Sequence, residues 1–242
     1  MSTDFKMRVA LVISYNGTHF FGSQIQTQTQ HTIVGQLTKV LLKLGMDSKV
    51  IASGRTDKGV HATGQVCHID LPEFWTDTHK LKRVLNEMLP SSIHVRSVKA
   101  THSEFHARYS AQKRIYRYII KESESNPFQS DFITYLETVN FQEIQENIKL
   151  FCGEHDFEFF MKTGSDIKTT RRVIYKAFAY KYKGFIVLNF EANGFLRSQI
   201  RLMVGALLAL NTVKIDEKLN CKINHKLKPA PPNGLYLAKI KY

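Results

Sequence analysis

The hydrophobic and polar positions of the chain follow two different periods, which predict an alternation of strands and helices. Some runs are β-branched and apolar, as from Lys6 to Ser14, or alternate residue by residue, as from Lys113 to Lys121, and both patterns are typical of strands. Other runs repeat apolar residues every three or four positions, as from Thr32 to Leu44, which indicates a helix. The same patterns predict further strands over 49–52, 65–71, 93–100, 173–182, 185–191 and 235–242, and further helices over 78–89, 141–152 and 195–210.

Local signals agree with these elements. Thr32 is suited to cap the first helix and Gly45 follows its end, while Pro90 ends the second helix. Lys183 and Gly184 separate two strand-like runs, which predicts a hairpin. Both halves of the chain follow a strand, helix, strand-rich order. We therefore expect an α+β fold of two related lobes around a central cleft, with residues 1–104 in the N-terminal lobe and 105–242 in the C-terminal lobe.

The composition indicates a folded protein that binds a polyanion. Hydrophobic residues make up 43% of the chain, enough for a core, and 34 Lys and Arg against 21 Asp and Glu leave a net charge of +13. The excess is +5 in residues 1–100 and +8 in residues 101–242, so it is not a detachable basic tail. A basic folded surface suits nucleic acid, and an anionic membrane surface is the alternative. No run approaches the roughly 18 apolar residues that a membrane span needs.

The cysteines indicate a reducing compartment. Cys67, Cys152 and Cys221 are odd in number and far apart, which predicts reduced thiols. The N-terminus lacks the layout of a signal peptide, so we expect a cytoplasmic protein. A metal site formed by Cys67 with His61 and His68 matches no usual ligand spacing, and an ordinary strand is the favoured interpretation.

The run from Ala52 to Gln65 is the strongest candidate for chemistry. It contains three glycines and a single carboxylate, Asp57, between Arg55 and Lys58. Neighbouring cations favour the charged form of a carboxyl group, and an ionised carboxylate can act as a general base or as a nucleophile on a sugar carbon. The run connects two predicted strands, which would hold it at both ends. The alternative is that Asp57 and Gly59 are ordinary turn residues.

Aromatic and basic residues elsewhere suit contacts with RNA. Tyr116 lies in the alternating strand beside arginines, as stacking on a base near a phosphate requires, although a half-buried sheet gives the same pattern. Phe20 and Phe21 precede a Gln-rich run and are predicted to be exposed for base stacking. Residues 162–183 hold seven basic residues against one acidic residue, Asp166, which suits a phosphate backbone or simply a solvated face.

Arg201 needs a partner. It lies within the apolar run of the predicted helix 195–210, where an unpaired charge is costly, so we expect a carboxylate or a phosphate beside it. Arg197 stands four residues earlier and is predicted to point the same way.

Seven motifs in order resemble the TruA family of tRNA pseudouridine synthases and span nearly the whole chain. They are Y-N-G-T-H-F-F-G at 15–22, G-R-T-D-K-G-V-H-A-T-G-Q-V at 54–66, F-H-A-R-Y-S at 105–110, Y-R-Y-I-I at 116–120, G-E-H-D-F at 153–157, F-L-R-S-Q-I-R-L-M-V-G at 195–205 and P-P-N-G-L-Y-L at 231–237. The motif around Asp57 is highly specific, whereas G-E-H-D-F alone is weak.

The resemblance implies a role for each matched residue. Asp57 would be the catalytic residue, and Arg55 would help to hold the flipped nucleotide and its phosphate. Tyr116 would pack on the target uracil, Arg201 would pair with the catalytic carboxylate, and Leu235 would line the pocket. The family fold has two α+β lobes with mainly antiparallel sheets, assembled as a homodimer. Its substrates are the uridines at positions 38, 39 and 40 of the tRNA anticodon arm, isomerised without a cofactor or a required metal.

The chain departs from the family at two positions. Ser23 stands where the family usually carries Trp, which changes the RNA contact expected of that loop. Gln199 stands where Met is usual, which we interpret as a change of packing.

The residues leave the chemical route open. Asp57 could attack C1′, attack the base, or remove the C2′ proton. Two other functions compete with an isomerase: a non-catalytic RNA-binding protein or chaperone, which would not need the Asp57 carboxylate, and a glycosidase-like hydrolase, which would need a second acid that the neighbouring sequence does not offer.

Overall fold

The computed structural model describes residues 7–164 and 167–242, so Lys6 of the first predicted strand and Asp166 of the basic run lie outside the described residues. The chain divides into two compact units, Met1–Gln112 with Leu237–Tyr242, and Lys113–Tyr236. Each unit combines helices with a mainly antiparallel sheet, which confirms the predicted α+β class. The cleft between two lobes stays a prediction.

The first unit is a sheet with two helices. Its elements in chain order are β1 (Met7–Tyr15), α1 (Ile33–Lys43), β2 (Ile51–Ala52), β3 (His61–Leu71), α2 (Thr78–Met88), β4 (Ile93–Ala100) and the end of β10 (Leu235–Lys241). β1 pairs antiparallel with β3 on one side and β4 on the other, and β2 and β10 both pair with β3. The alternating side chains Val9, Leu11 and Ile13 are fully buried, which explains the strand pattern of the sequence.

Side-chain hydrogen bonds define the helix ends and one helix–sheet contact in this unit. The Thr32 hydroxyl accepts a hydrogen bond from the Gly35 N–H, as predicted, and Asp77 caps α2 in the same way. The Asn86 amide bonds to both the N–H and the C=O of Val95, which attaches α2 to β4.

The described residues of the second unit form a sheet and three α-helices. Its elements are β5 (Lys113–Glu122), β6 (Thr134–Leu136), α3 (Phe141–Asn147), β7 (Gly153–Asp156), β8 (Arg171–Tyr182), β9 (Phe185–Ala192), α4 (Gln199–Ala209) and α5 (Thr212–Leu219). The sheet order is β5-β9-β8-β7, all antiparallel, and β6 runs parallel to β5. The predicted hairpin is confirmed: Lys183 and Gly184 both have positive φ, as the favoured two-residue turn requires.

Several predicted boundaries are wrong. Helix α4 begins at Gln199 because Ser198 has a left-handed backbone with φ of 58°, so Arg197 lies before the helix and does not share a helical face with Arg201. The predicted helix 141–152 ends at Asn147 and continues only as a 3-10 turn, β3 begins four residues before the predicted start, and β6, β7 and α5 were not predicted.

Residues 105–112 belong with the first unit, whereas the sequence placed them in the C-terminal lobe. The Ala107 N–H donates a 3.0 Å hydrogen bond to Nδ1 of His68 on β3. The ring of Phe105 lies 4.9 Å from that of Tyr242, also in this unit. These contacts explain why the segment packs with the strands that precede it.

In the described part of the chain, no helix combines the length and apolar character needed to cross a lipid bilayer. Cys67, Cys152 and Cys221 are free thiols, and burial raises the pKa of Cys67 to about 12.

The hydrogen bond to His68 predicts a pH-dependent stability. Burial, aided by nearby Arg8 and His106, lowers the pKa of His68 to about 4. Protonation of Nδ1 would also remove the hydrogen bond that it accepts from the Ala107 N–H. The unfolded chain therefore binds more protons between pH 6.5 and 4, and the free energy of unfolding falls across this window by an amount on the order of 2–3 kcal/mol. His68→Asn keeps an acceptor at the same place and does not titrate. Urea unfolding at pH 7.5 and 4.5 should show a smaller pH effect in this variant; equal pH effects would contradict the prediction.

Candidate functional site

Asp57 lies in a tight turn between β2 and β3. The Val60 N–H donates a 3.1 Å hydrogen bond to the Asp57 carbonyl, and Gly59 between them has φ of 79°, which glycine adopts without strain. Asp57 itself is half-buried, while the residues on both sides of the turn are buried. The turn thus presents one partly accessible carboxylate on a fixed support.

Gln65 supports the turn from the strand that follows it. Its side-chain carbonyl accepts a 2.6 Å hydrogen bond from the Ser53 hydroxyl, and its amide donates a 2.7 Å bond to the Gly54 carbonyl. Both Ser53 and Gln65 are about 1% exposed. One amide side chain therefore satisfies two polar groups at the start of the loop.

Thr56, directly before Asp57, is held by two residues from the end of β1 and the loop after it. The hydroxyl groups of Tyr15 and Thr56 are 2.8 Å apart and share a hydrogen bond. Ser23 Oγ accepts a 2.8 Å bond from the Thr56 N–H, and the Ser23 N–H donates a 3.1 Å bond to the Thr56 carbonyl. Gly22 permits this approach, because a Cβ there would lie 2.8 Å from the Thr56 carbonyl oxygen.

The two cations beside Asp57 are exposed and are contacted by the same loop. Nε of Arg55 donates a 2.6 Å hydrogen bond to Oε1 of the Gln24 side chain. The ammonium group of Lys58 lies 4.5 Å from the centroid of the Phe21 ring, which is 45% exposed, as predicted. Phe20 was predicted to be exposed as well and is not: it is 3% exposed and stacks on His31 inside the unit.

The histidines near the turn have structural partners. Nδ1 of His61 accepts a 3.0 Å hydrogen bond from the Gly17 N–H, as Nδ1 of His68 does from Ala107. Among residues 7–164 and 167–242, no cluster of three or more His, Cys, Asp or Glu has the arrangement of a metal site. Each imidazole instead pairs a backbone group in a buried part of the sheet.

In the second unit, Tyr116 and Arg201 lie on elements that hold their positions. Tyr116 on β5 is 7% exposed, and its ring meets that of Phe195 edge to face at 5.3 Å. Arg201 on α4 is half-buried, and its Nε donates a 2.7 Å hydrogen bond to the Ala230 carbonyl. That bond orients the guanidinium group and satisfies part of the need for a partner that the sequence predicted.

Leu235, the buried first residue of β10, follows a turn that a polar network holds. The Tyr118 hydroxyl donates to the Pro231 carbonyl at 2.9 Å and bonds to the Thr134 hydroxyl at 2.7 Å. The Asn233 amide donates to the carbonyls of Ser130 and Ile133, which closes the turn. The motif P-P-N-G-L-Y-L thus encodes a specific turn that places Leu235.

Gln199 forms a specific hydrogen bond and does not only change the packing. It is fully buried, and its side-chain carbonyl accepts a 2.7 Å hydrogen bond from the Leu196 N–H, while Ser198 makes no capping bond. The Gln199 amide also lies 3.7 Å from the Met203 sulfur. It therefore fixes the chain just before α4, a contact that methionine could not make with the same strength.

The basic run is partly paired within the protein. Lys181 lies 4.0 Å from Glu122, and Arg171 lies 3.7 Å from Glu154. The Lys183 ammonium lies 5.4 Å from the ring of the exposed Tyr182. The exposed side chains of β8 and of the turn after it therefore include aromatic rings together with cations, a composition compatible with RNA.

Sequence reasoning missed the residues that hold the turn: Tyr15, Ser23, Gln24 and Gln65. A Gln within a strand-like run was a weak signal for Gln65, since a buried amide needs partners. Ser23 was noticed only as a departure from the resemblance, and no local pattern indicated that it contacts Thr56.

Comparisons with known proteins match the sequence of this chain to one family. The family described as tRNA pseudouridine synthase matches residues 11–110 and 148–242. The tRNA pseudouridine synthase A of Campylobacter jejuni (strain RM1221) is 36% identical over 243 residues, covering 98% of this chain and 100% of that protein. The protein of the same name from Wolinella succinogenes is 39% identical over 235 residues, covering 95% of this chain and 92% of that protein.

Among solved structures, a chain of a Cbf5-Nop10-Gar1 complex aligns with 83% of this chain and 45% of its own length. The TM-score is 0.37 and the sequence identity 14%, too low for a functional inference.

The contacts of Gln65 predict a stability loss on substitution. Gln65→Met keeps the side-chain size but leaves the Ser53 hydroxyl and the Gly54 carbonyl without their amide partner, at a cost of about 1–3 kcal/mol. Urea unfolding should show this loss, and Gln28→Met at an exposed position should leave the free energy of unfolding unchanged. Equal stability of the two variants would show that Gln65 does not support the turn.

Proposed function

Because this chain belongs to the tRNA pseudouridine synthase family, we propose that it uses Asp57 to convert uridine to pseudouridine at positions 38, 39 and 40 of the tRNA anticodon arm. The chain is an isomerase that acts on tRNA. One observation carries the assignment of Asp57: it is a half-buried carboxylate in a turn that buried, hydrogen-bonded residues, Thr56 and Gln65, hold in place. Such a support holds a reacting group in a constant position.

The reaction needs only one such carboxylate. The bond between C1′ and N1 of the uridine breaks, the uracil rotates, and C1′ bonds to C5. C5 loses its proton to solvent and N1 takes up a proton. No atom is gained or lost by the nucleotide apart from proton exchange, which is why the reaction is an isomerisation. Asp57 serves by attack on C1′, by attack on the base, or by removal of the C2′ proton.

We assign the substrate contacts from the resemblance and from the setting of each residue. Arg55 is exposed and hydrogen bonded through Nε, so its terminal amino groups suit a phosphate of the flipped nucleotide. Tyr116 supplies a ring for the uracil, and Leu235 supplies an apolar wall that limits hydrolysis of the detached base. The resemblance also implies that Arg201, near the start of an apolar helix, is the partner of the catalytic carboxylate.

Flipping the uridine out of the stack costs a few kcal/mol, which contacts in the pocket and along the backbone offset. The net charge of +13 supplies salt-dependent attraction to the tRNA phosphates. A tRNA substrate and three free thiols support a cytoplasmic location.

Removal of the Asp57 charge should abolish the reaction. In tRNA labelled with tritium at C5 of uracil, the intact chain should release tritium, and Asp57→Asn should reduce the rate by about 10³-fold or more while tRNA binding persists. Asp47→Asn, at an exposed position outside the turn, is the matched control and should keep full activity. Mapping of the product should place pseudouridine at positions 38, 39 and 40.

Other outcomes would identify other functions. Binding of tRNA by both proteins without tritium release from either would indicate a non-catalytic RNA-binding protein. Release of free uracil would indicate a hydrolase.

We also propose that the chain acts as a homodimer, as the resemblance implies. Light scattering during gel filtration should give twice the mass of one chain across micromolar concentrations. A single-chain mass at all concentrations, in a preparation active on tRNA, would reject the dimer without affecting the proposed reaction.

A further inference from the structure

Four consecutive residues, Phe21 to Gln24, each contact the residues around Asp57. The Phe21 ring lies under Lys58, Gly22 lies against the Thr56 carbonyl, Ser23 bonds to Thr56, and Gln24 bonds to Arg55. We name this segment the Phe21–Gln24 clamp. Its contacts run in the opposite order to the residues of the turn, so the two segments lie antiparallel along the turn that presents the carboxylate.

Ser23 holds both peptide groups that flank Thr56. The Thr56 N–H belongs to the peptide that enters the residue, and the Thr56 carbonyl belongs to the peptide that leads into Asp57. Ser23 accepts from the first at 2.8 Å and donates to the second at 3.1 Å. Since both residues are buried, water cannot easily replace either bond. Ser23 therefore restrains the direction in which the chain leaves Thr56 and the place where it brings the Asp57 side chain.

The hydrogen bond that the Ser23 hydroxyl accepts from Thr56 requires a side chain with an acceptor atom at this position. The resemblance leads to tryptophan at this position, and an indole has only an N–H donor, so it could not accept a hydrogen bond from the Thr56 N–H. The Tyr15 hydroxyl bonds to the third polar group of Thr56, its side-chain hydroxyl. All three polar groups of Thr56 are thus hydrogen bonded from the segment that contains β1 and the clamp.

We propose that Ser23 is a positioning residue for Asp57, acting through Thr56, and that Gln24 separately orients Arg55 toward the tRNA backbone. The proposal rests on the function proposed above. Ser23 fixes the carboxylate and so influences the chemical step. Gln24 holds Nε of Arg55 and leaves the terminal amino groups for phosphate, so it influences binding. The two neighbours in the clamp therefore have separable effects.

Single-turnover kinetics tests whether Ser23 affects the chemical step and Gln24 affects tRNA binding. Ser23→Ala should lower the rate at saturating enzyme by about 10- to 100-fold, with little change in the half-saturating concentration, because a misplaced reacting group slows the chemical step. Gln24→Ala should raise the half-saturating concentration several-fold and leave the saturated rate near that of the intact chain. Ser23→Thr keeps the hydroxyl and should restore most of the rate lost in Ser23→Ala.

The matched control is Ser48→Ala, which removes a hydroxyl that accepts a backbone N–H in the same way, from Asp70, away from the turn. It should keep the rate of the intact chain. Hydrogen exchange gives a readout that does not depend on activity: in Ser23→Ala, amide exchange should increase in peptides covering residues 55–60 and remain unchanged in β4.

Three results would overturn the positioning role while the intact chain forms pseudouridine: an unchanged saturated rate in Ser23→Ala, equal loss in the Ser23→Ala and Ser23→Thr variants, or unchanged exchange at residues 55–60. Full activity of Asp57→Asn, or no product from the intact chain, would instead reject the proposed function and this inference with it. Failure of Ser23→Ala to fold leaves Tyr15→Phe as the second variant. It keeps the ring and removes the hydroxyl bonded to Thr56, and an unchanged saturated rate there would likewise overturn the role.

Discussion

The pairing of buried backbone groups around Asp57 is the constraint on which this structure depends. A turn between two strands has few partners in a sheet ladder, yet its N–H and C=O groups cannot stay unpaired when buried. Gln65 satisfies the start of the turn and Ser23 satisfies both peptide groups of Thr56. These bonds keep the carboxylate accessible on a rigid support, which a reaction at a single positioned group requires.

In the second unit, different side chains pair the backbone groups of a turn. The turn before β10 is closed by the side chains of Tyr118, Thr134 and Asn233, and burial raises the pKa of Tyr118, so its hydroxyl remains a donor. The guanidinium group of Arg201 is oriented by a carbonyl close to that turn in the chain. In both units, the residues expected to act on substrate lie next to polar side chains that form hydrogen bonds with backbone groups.

Positive charge on the surface attracts the tRNA over a longer distance than these hydrogen bonds act. Cations at the surface attract the tRNA backbone over distances of about a Debye length, roughly 8 Å at physiological salt. Several of them also lie over exposed rings or beside carboxylates, as Lys58 does with Phe21 and Lys181 with Glu122. Charge therefore accounts for affinity to any RNA, whereas the proposed chemistry depends on the turn around Asp57.

The sequence by itself determined the elements and the candidate carboxylate, because periodicity, caps and glycine-rich turns are local properties. It predicted most of the strands, though not β6 and β7, together with the caps of α1, the hairpin at Lys183-Gly184 and the turn that carries Asp57. Tertiary structure decided what contacts that turn, because the Ser23–Thr56 and Tyr15–Thr56 bonds join residues 33 and 41 positions apart, and no local pattern encodes such pairs. Tertiary structure also decided the burial of Phe20, which stacks on His31 although the sequence predicted it to be exposed. It decided the start of α4 as well, because the helix predicted to begin at Phe195 cannot include the left-handed backbone of Ser198.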